Sequence, residues 1–113
     1  LRAFGDVTAI ASDVGSEAGV TKVADVVNAA GPLHILVNNA GTTWGAPLDQ
    51  FPRAGFEKVL QLNLLAPFEI TKALLPALRA AGTAEDPARV ICRSWSIATC
   101  KTTCFESAAL RQF

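Results

Sequence analysis

Leu33-His34-Ile35-Leu36-Val37-Asn38-Asn39-Ala40-Gly41 sets a largely apolar run directly against two amides, an alanine and a glycine. The apolar part lacks a clean polar alternation, as expected of a strand covered on both faces in a parallel sheet rather than one with a wet face. Polar residues resume at Asn38. Taken alone, Asn38-Asn39-Ala40-Gly41 reads as a turn, because Asn and Gly both tolerate positive φ and close loops. The flanking segments decide whether it is more than that.

Upstream, Val7-Thr8-Ala9-Ile10-Ala11 is a short β-rich run that ends at Ser12-Asp13, and it predicts a first strand. Val20, Val23, Ala24 and Val27 then recur at i, i+3, i+4 and i+7, the spacing of one helical face, and Gly31-Pro32 stops the helix that begins near Ser16. Downstream, Arg53 to Ala81 is helical in pattern: Phe56, Val59, Leu60, Asn63 and Leu64 fall on one face, and Phe68, Ile70, Leu74, Leu75 and Leu78 carry apolar character onward to Gly82. Pro67 and Pro76 interrupt it. A proline inside a helix removes a hydrogen bond and costs about 3 kcal/mol, so a kink or two consecutive helices are expected near Ala66-Pro67. Arg89-Val90-Ile91-Cys92 follows the polar connection Thr83 to Ala88 as a third strand. Strand, helix, strand, long helix, strand is the pattern of a parallel α/β sheet with right-handed crossovers. There is no internal repeat and no low-complexity segment.

Composition narrows the function classes. The chain has 113 residues, 50% of them hydrophobic and 18% charged, which suits one globular unit with a core and not a disordered tail. Ten basic residues balance ten acidic ones without a Lys/Arg cluster, so neither nucleic acid nor an anionic membrane is an expected partner. No apolar run is long enough to span a bilayer, and no initiator Met or signal-peptide pattern opens the chain. The expectation is a soluble, cytoplasmic chain whose first residue is not a natural start.

In a parallel α/β sheet, ligands bind in the crevice beyond the carboxyl ends of the strands. Three polar stretches fall there: Asp13-Val14, Asn38-Asn39-Ala40-Gly41, and the residues after Cys92. Taken in order with Leu62-Asn63-Leu64-Leu65-Ala66-Pro67-Phe68 and Pro87-Ala88-Arg89-Val90-Ile91, they resemble the short-chain dehydrogenase/reductase family over roughly residues 1 to 98. Thr42-Thr43-Trp44-Gly45-Ala46 and Glu85-Asp86-Pro87-Ala88-Arg89-Val90-Ile91 look most like its 3-oxoacyl-carrier-protein reductases, including the branch linked to rhamnolipid synthesis. The resemblance implies an α/β fold, an incomplete Rossmann-type doubly wound parallel sheet holding the middle strands and helices without the first βαβ unit. Residues 1–98 would be a partial NAD(P)-binding domain and residues 99–113 a divergent tail.

The resemblance also assigns roles. Asp13 would accept a hydrogen bond from the adenine amino group while the backbone of Val14 lies against the ring edge, since a carboxylate is acceptor only. Asp13 also reads as an acid favourable to the dipole of the helix that follows, and both readings can hold together. Asn39, Ala40 and Gly41 would pass beside the adenosine ribose, where small residues let backbone approach the cofactor closely. Asn38 would be structural, its amide bonding across neighbouring strand ends. Asn63, set between Leu62 and Leu64, is either a satisfied core amide or, as the family implies, the residue holding a water that relays protons to the catalytic lysine.

Several family parts are not found. The glycine-rich turn that holds the pyrophosphate at a helix N-terminus would lie upstream of Leu1, as would the residue that chooses between NAD and NADP. The substrate-binding serine corresponds to Ser96, in Ser96-Ile97-Ala98, only with a one-residue insertion; without it Trp95 stands at the serine place with Ser94 beside it. The chain contains no tyrosine, so the Tyr-x-x-x-Lys pair is missing; counting from Ser96, the tyrosine would fall near Leu110. A shifted frame, an altered splice product or gene decay after Ile91 would produce such a tail. All three cysteines, Cys92, Cys100 and Cys104, sit there, one ligand short of a structural zinc set and with His34 at the front of another strand, so no metal is expected. Trp44 and Trp95 read as packing or substrate-loop residues, and Lys58, Lys72 and Arg79 as solvated charges.

Two function classes follow. One is a segment of an NAD(P)-dependent oxidoreductase that reduces a keto group or oxidises a secondary alcohol of a small molecule. The other is a non-catalytic product that keeps part of the cofactor crevice and the helices of residues 53–81, through which family members pair, and acts at most as an interaction module.

Overall fold

The computed structural model describes residues 5–93, and their elements run in chain order as follows. Helix α1 (Glu17–Ala30) leads to strand β1 (Ile35–Asn38), a 3₁₀ turn at Leu48–Gln50, helix α2 (Arg53–Leu60), a π-helical turn at Gln61–Leu65, helices α3 (Ala66–Ala73) and α4 (Leu75–Ala81), and strand β2 (Arg89–Cys92). The two strands pair in parallel, with Ile35 opposite Arg89 and Asn38 opposite Cys92. Backbone bonds from Arg89 to the His34 carbonyl (2.8 Å) and from Arg93 to the Asn38 carbonyl (2.9 Å) flank the pairing.

Local chemistry explains the helix ends. Ser16 is extended (φ −120°, ψ 149°) and its hydroxyl accepts from the Gly19 N–H at 3.1 Å, an N-cap that satisfies one of the unpaired donors of α1. Gly31 ends α1 at φ 108°, a conformation that glycine adopts without a Cβ clash. The helical face read from the spacing is the one used: Val20 and Ala24 are buried, with Val23 and Val27 packed against them.

The long helical stretch differs from its expectation. The sequence predicts one discontinuity near Ala66-Pro67, whereas the chain has a π-turn before α3 and a second break at Leu74 (φ −96°, ψ 2°). Pro67 and Pro76 each occupy the first turn of a helix, α3 and α4, where a missing N–H is harmless. The single apolar face also splits. Val59, Ala66, Ile70, Leu74, Ala77 and Leu78 are buried, while Phe56, Leu60, Leu64 and Phe68 are exposed. The split follows the helix axis and not the π-turn: Phe56, Leu60, Leu64 and Phe68 recur every four residues on an open face, while the buried residues keep helical spacing on the face that meets the core.

A further correction concerns Val7–Ala11, which is not a strand: among the described residues nothing pairs with it in a ladder. A strand exists only by hydrogen bonding to a neighbour, and this segment is instead tied to α1. The Ser12 hydroxyl donates to the Gly19 carbonyl (2.8 Å) and the Lys22 ammonium to the Ala11 carbonyl (2.7 Å).

The core lies between the sheet and the helices. Val20 and Ala24 of α1 meet Ile70, Leu74 and Leu78, with Ala88 closing the cluster and Leu36 and Val90 of the sheet packed on it. Backbone and side chain reinforce the layer: the Leu33 N–H donates to the Ala77 carbonyl at 3.0 Å and the Asn28 amide to the Ala73 carbonyl at 3.1 Å. No described helix is long and apolar enough to cross a membrane.

Candidate functional site

Three segments meet near the carboxyl end of the sheet. The first is the Asp13–Ser16 turn that feeds α1. One Asp13 carboxylate oxygen accepts from the Gly15 N–H at 3.0 Å, and the Asp13 carbonyl accepts from both the Ser16 N–H (3.0 Å) and the Ser16 hydroxyl (2.8 Å). This is a self-bonded Asx turn running into an N-cap, which fixes the carboxylate while leaving it exposed. Gly19 lets the turn lie on the first turn of α1, because a Cβ there would run into the Asp13 carbonyl. Val14 is half-buried and faces the core.

The second segment is Asn38 to Thr42. Asn38 is 8% exposed, and its Nδ2 donates to Thr71 Oγ1 at 3.3 Å and to Cys92 Sγ at 3.5 Å. The amide therefore ties the end of β1 to the end of β2 and to α3, the cross-strand role expected of it. Asn39, Ala40 and Gly41 are exposed beyond it. Arg93 reaches back from the end of β2, its guanidinium donating to Asn39 Oδ1 at 3.2 Å.

The third segment is the π-turn. Asn63 Oδ1 accepts from the Thr42 N–H and Asn63 Nδ2 donates to the Thr42 carbonyl, each at 2.9 Å, so the amide pairs with backbone much as a neighbouring strand would. Gln61 Nε2 donates to the Gly15 carbonyl at 3.2 Å. Pro67 has no N–H to return to the residue four positions back, so a regular α-helical ladder cannot run through Asn63. Within the π-turn the Ala66 N–H bonds the Gln61 carbonyl instead.

The π-turn thus links the turn that follows Asp13 and Val14, through Gln61 and Gly15, to the residue that follows Asn39 to Gly41, through Asn63 and Thr42. Ser96 lies outside the described residues, as do Trp95, Cys100 and Cys104 and the whole of 99–113. Cys92 is exposed, and among the described residues no group of three or more His, Cys, Asp or Glu could hold a metal ion. Sequence reasoning missed Gln61, Thr42, Thr71 and Arg93. The first of these carried a readable signal: a second amide two residues before Asn63 on the same apolar stretch. Trp44 is a packing residue here. Its ring lies over Gly55 of α2, so close that a Cβ at Gly55 would sit 2.7 Å from it.

The short chain dehydrogenase family model matches residues 2–97. The rhamnolipids biosynthesis 3-oxoacyl-[acyl-carrier-protein] reductase of Pseudomonas aeruginosa is 50% identical over 92 residues, which cover 80% of this chain and 36% of that protein. The oxidoreductase YxjF of Bacillus subtilis is 40% identical over 75 residues, or 66% of this chain and 29% of its own. Among solved structures, the Pseudomonas aeruginosa RhlG/NADP active-site complex superposes with a TM-score of 0.75 at 49% identity, covering 79% of this chain and 35% of that one. A metagenomic short-chain oxidoreductase in complex with NADP gives a TM-score of 0.66 at 31% identity, over 79% of this chain and 39% of its own. The chain spans about a third of the length of these relatives. A family match across all of the described residues, on a backbone frame shared with the solved relatives, establishes the kinship: the chain belongs to the short-chain dehydrogenase/reductase family.

Proposed function

We propose that these residues are the adenosine side of the cofactor crevice of an NAD(P)-dependent oxidoreductase, one that reduces a keto group or oxidises a secondary alcohol, of the 3-oxoacyl reductase type. The carrying observation is that a single π-turn bonds both Gly15 of the Asp13 turn and Thr42, which directly follows Asn39–Gly41. The residues suit an adenosine. Asp13 has one oxygen held by the Gly15 N–H and is otherwise exposed, an acceptor-only group for an exocyclic amine. Asn39, Ala40 and Gly41 offer exposed backbone with little side-chain bulk for a ribose edge. A bound nicotinamide dinucleotide would supply or accept the hydride exchanged with the substrate carbon.

In this reading Asn63 keeps the family's place beside the proton relay while its side chain fixes Thr42. Ser96 would stabilise the substrate oxygen. Residues 1–98 form part of the dinucleotide-binding domain, residues 99–113 depart from the family pattern, and the helices of 53–81 offer a pairing surface. The sequence contains no tyrosine, so the family's proton donor is not among these 113 residues. That favours a second reading for the chain by itself, a nucleotide-contacting but non-catalytic product.

Calorimetric titration tests both. The chain is expected to bind AMP weakly, with Kd of about 1 mM, and Asp13→Asn to weaken it about tenfold, as loss of a charge-assisted hydrogen bond would. NADPH should bind little better than AMP. Wild-type affinity for AMP that Asp13→Asn leaves unchanged would overturn the adenosine assignment, and micromolar NADPH binding with turnover of a ketone would overturn the non-catalytic reading.

A further inference from the structure

Gln61 and Asn63 lie two residues apart and bond to two different loops. Side chains two apart on a helix point to nearly opposite flanks, about 200° apart at a regular pitch. Here one flank carries the turn that contains Asp13 and the other carries the backbone that continues Gly41. We infer that the π-turn Gln61–Leu65 is the spacer of the crevice, and that Gln61 is a positioning residue which sets the adenine-facing loop relative to the ribose-facing loop. The inference rests on the adenosine-side reading given above.

The linkage is continuous at the level of single bonds. Gln61 Nε2 holds the Gly15 carbonyl at 3.2 Å, and the N–H of the same Gly15 holds Asp13 Oδ1 at 3.0 Å. Rotation of the Gly15 backbone therefore moves the Asp13 carboxylate, and Gln61 restrains that rotation. Leu62 backs the same loop: a Cβ placed on Gly15 would lie 3.7 Å from Leu62 Cδ1 and 3.2 Å from Asp13 Oδ1, so a side chain there would make the carboxylate give by a few tenths of an ångström. On the opposite flank the two 2.9 Å bonds of Asn63 fix both backbone polar groups of Thr42. A π-turn is the local geometry that lets a continuous helical segment present both amides from one half-buried turn, and such turns recur at functional sites.

Gln61→Met keeps side-chain length and removes the donor. Two measurements on the 113-residue chain decide the matter. In amide exchange followed by NMR, the variant should lose protection at Gly15 and Ser16 by about fivefold, the worth of one net hydrogen bond. In titrations, AMP, which spans both loops, should bind about fivefold more weakly to Gln61→Met, whereas ribose 5-phosphate, which reaches only the Asn39–Gly41 side, should change less than about twofold. A purely structural role would weaken both ligands equally and lower the melting temperature, and that result overturns the inference. Unchanged exchange at Gly15 overturns it as well, whatever the ligands do. If the wild-type chain binds neither ligand while Gly15 loses protection in the variant, the spacer stands and the adenosine-side reading fails.

Discussion

The two faces of the β1–β2 sheet share one sequence but have different surroundings. Leu36 and Val90 pack on the helical core and Asn38 bonds to Thr71 of α3, whereas Ile35 and Val37 on the other face are 53% and 51% exposed. In parallel register the pairs Leu36–Val90 and Asn38–Cys92 share the covered face, and Ile35–Arg89 and Val37–Ile91 share the open one. A half-wet strand would alternate in polarity, and this one does not: Ile35 and Val37 are as apolar as Leu36. The non-alternating pattern therefore specifies a cover for the second face that no described helix supplies. Stability and site geometry both come from the covered side, and substitutions on the two sides should separate sharply.

The largest separation is expected in the helical layer. Leu74 and Leu78 are each 1% exposed. Leu78→Ala removes buried methyl and methylene groups and leaves a cavity between α4 and the sheet, which costs about 3–4 kcal/mol in comparable sites. Urea unfolding followed by circular dichroism measures it. A loss below about 1 kcal/mol would show that the helical layer is not what holds the sheet, and the contrast between faces would collapse.

The adjacent amides give a smaller and more local contrast. Asn38 is buried with two partners, while Asn39 is exposed and accepts a bond from Arg93. Asn38→Ala should cost about 2 kcal/mol through lost bonds and packing, and Asn39→Ala less than about 0.5 kcal/mol. Equal costs by the same urea assay would mean that Asn38 is not the tie between strand ends, and would return the Asn-Asn pair to an ordinary turn.

That contrast marks how far the sequence could be read. Val20, Val23, Ala24 and Val27 announced α1 by spacing, Gly31-Pro32 announced its end, and Arg89 to Cys92 matched β2 residue for residue, because each of these signals is local. Val7–Ala11 misled: β propensity is legible in five residues, but a ladder partner is not. The Arg53 to Ala81 stretch reads as one apolar face because spacing cannot say which half of a broad apolar surface is covered, and its π-turn leaves no periodic signature, since its causes are a proline and two amides whose bonds run to distant backbone. The Asn38 tie was anticipated, since a polar residue at the end of a buried strand must find partners. Its partners Thr71 and Cys92 could not be named without the fold. Gln61 was overlooked for the same reason, its only cue being an amide on an apolar stretch.

The smallest effect is also the sharpest test of the open face. Val37 and Val90 are the same residue on opposite faces of one sheet, and Val→Thr keeps the β-branched shape and strand propensity while adding a hydroxyl. At Val90, packed on the core, that hydroxyl must be desolvated, and the expected cost is about 1–2 kcal/mol. At Val37, half exposed to solvent, the change should fall within about 0.5 kcal/mol. Differential scanning fluorimetry of the two variants across a range of protein concentrations resolves this. If Val37→Thr costs as much as Val90→Thr at every concentration, the second face is covered within the chain. If its cost grows with concentration, the cover comes from another copy, because only an association equilibrium makes stability depend on how much protein is present.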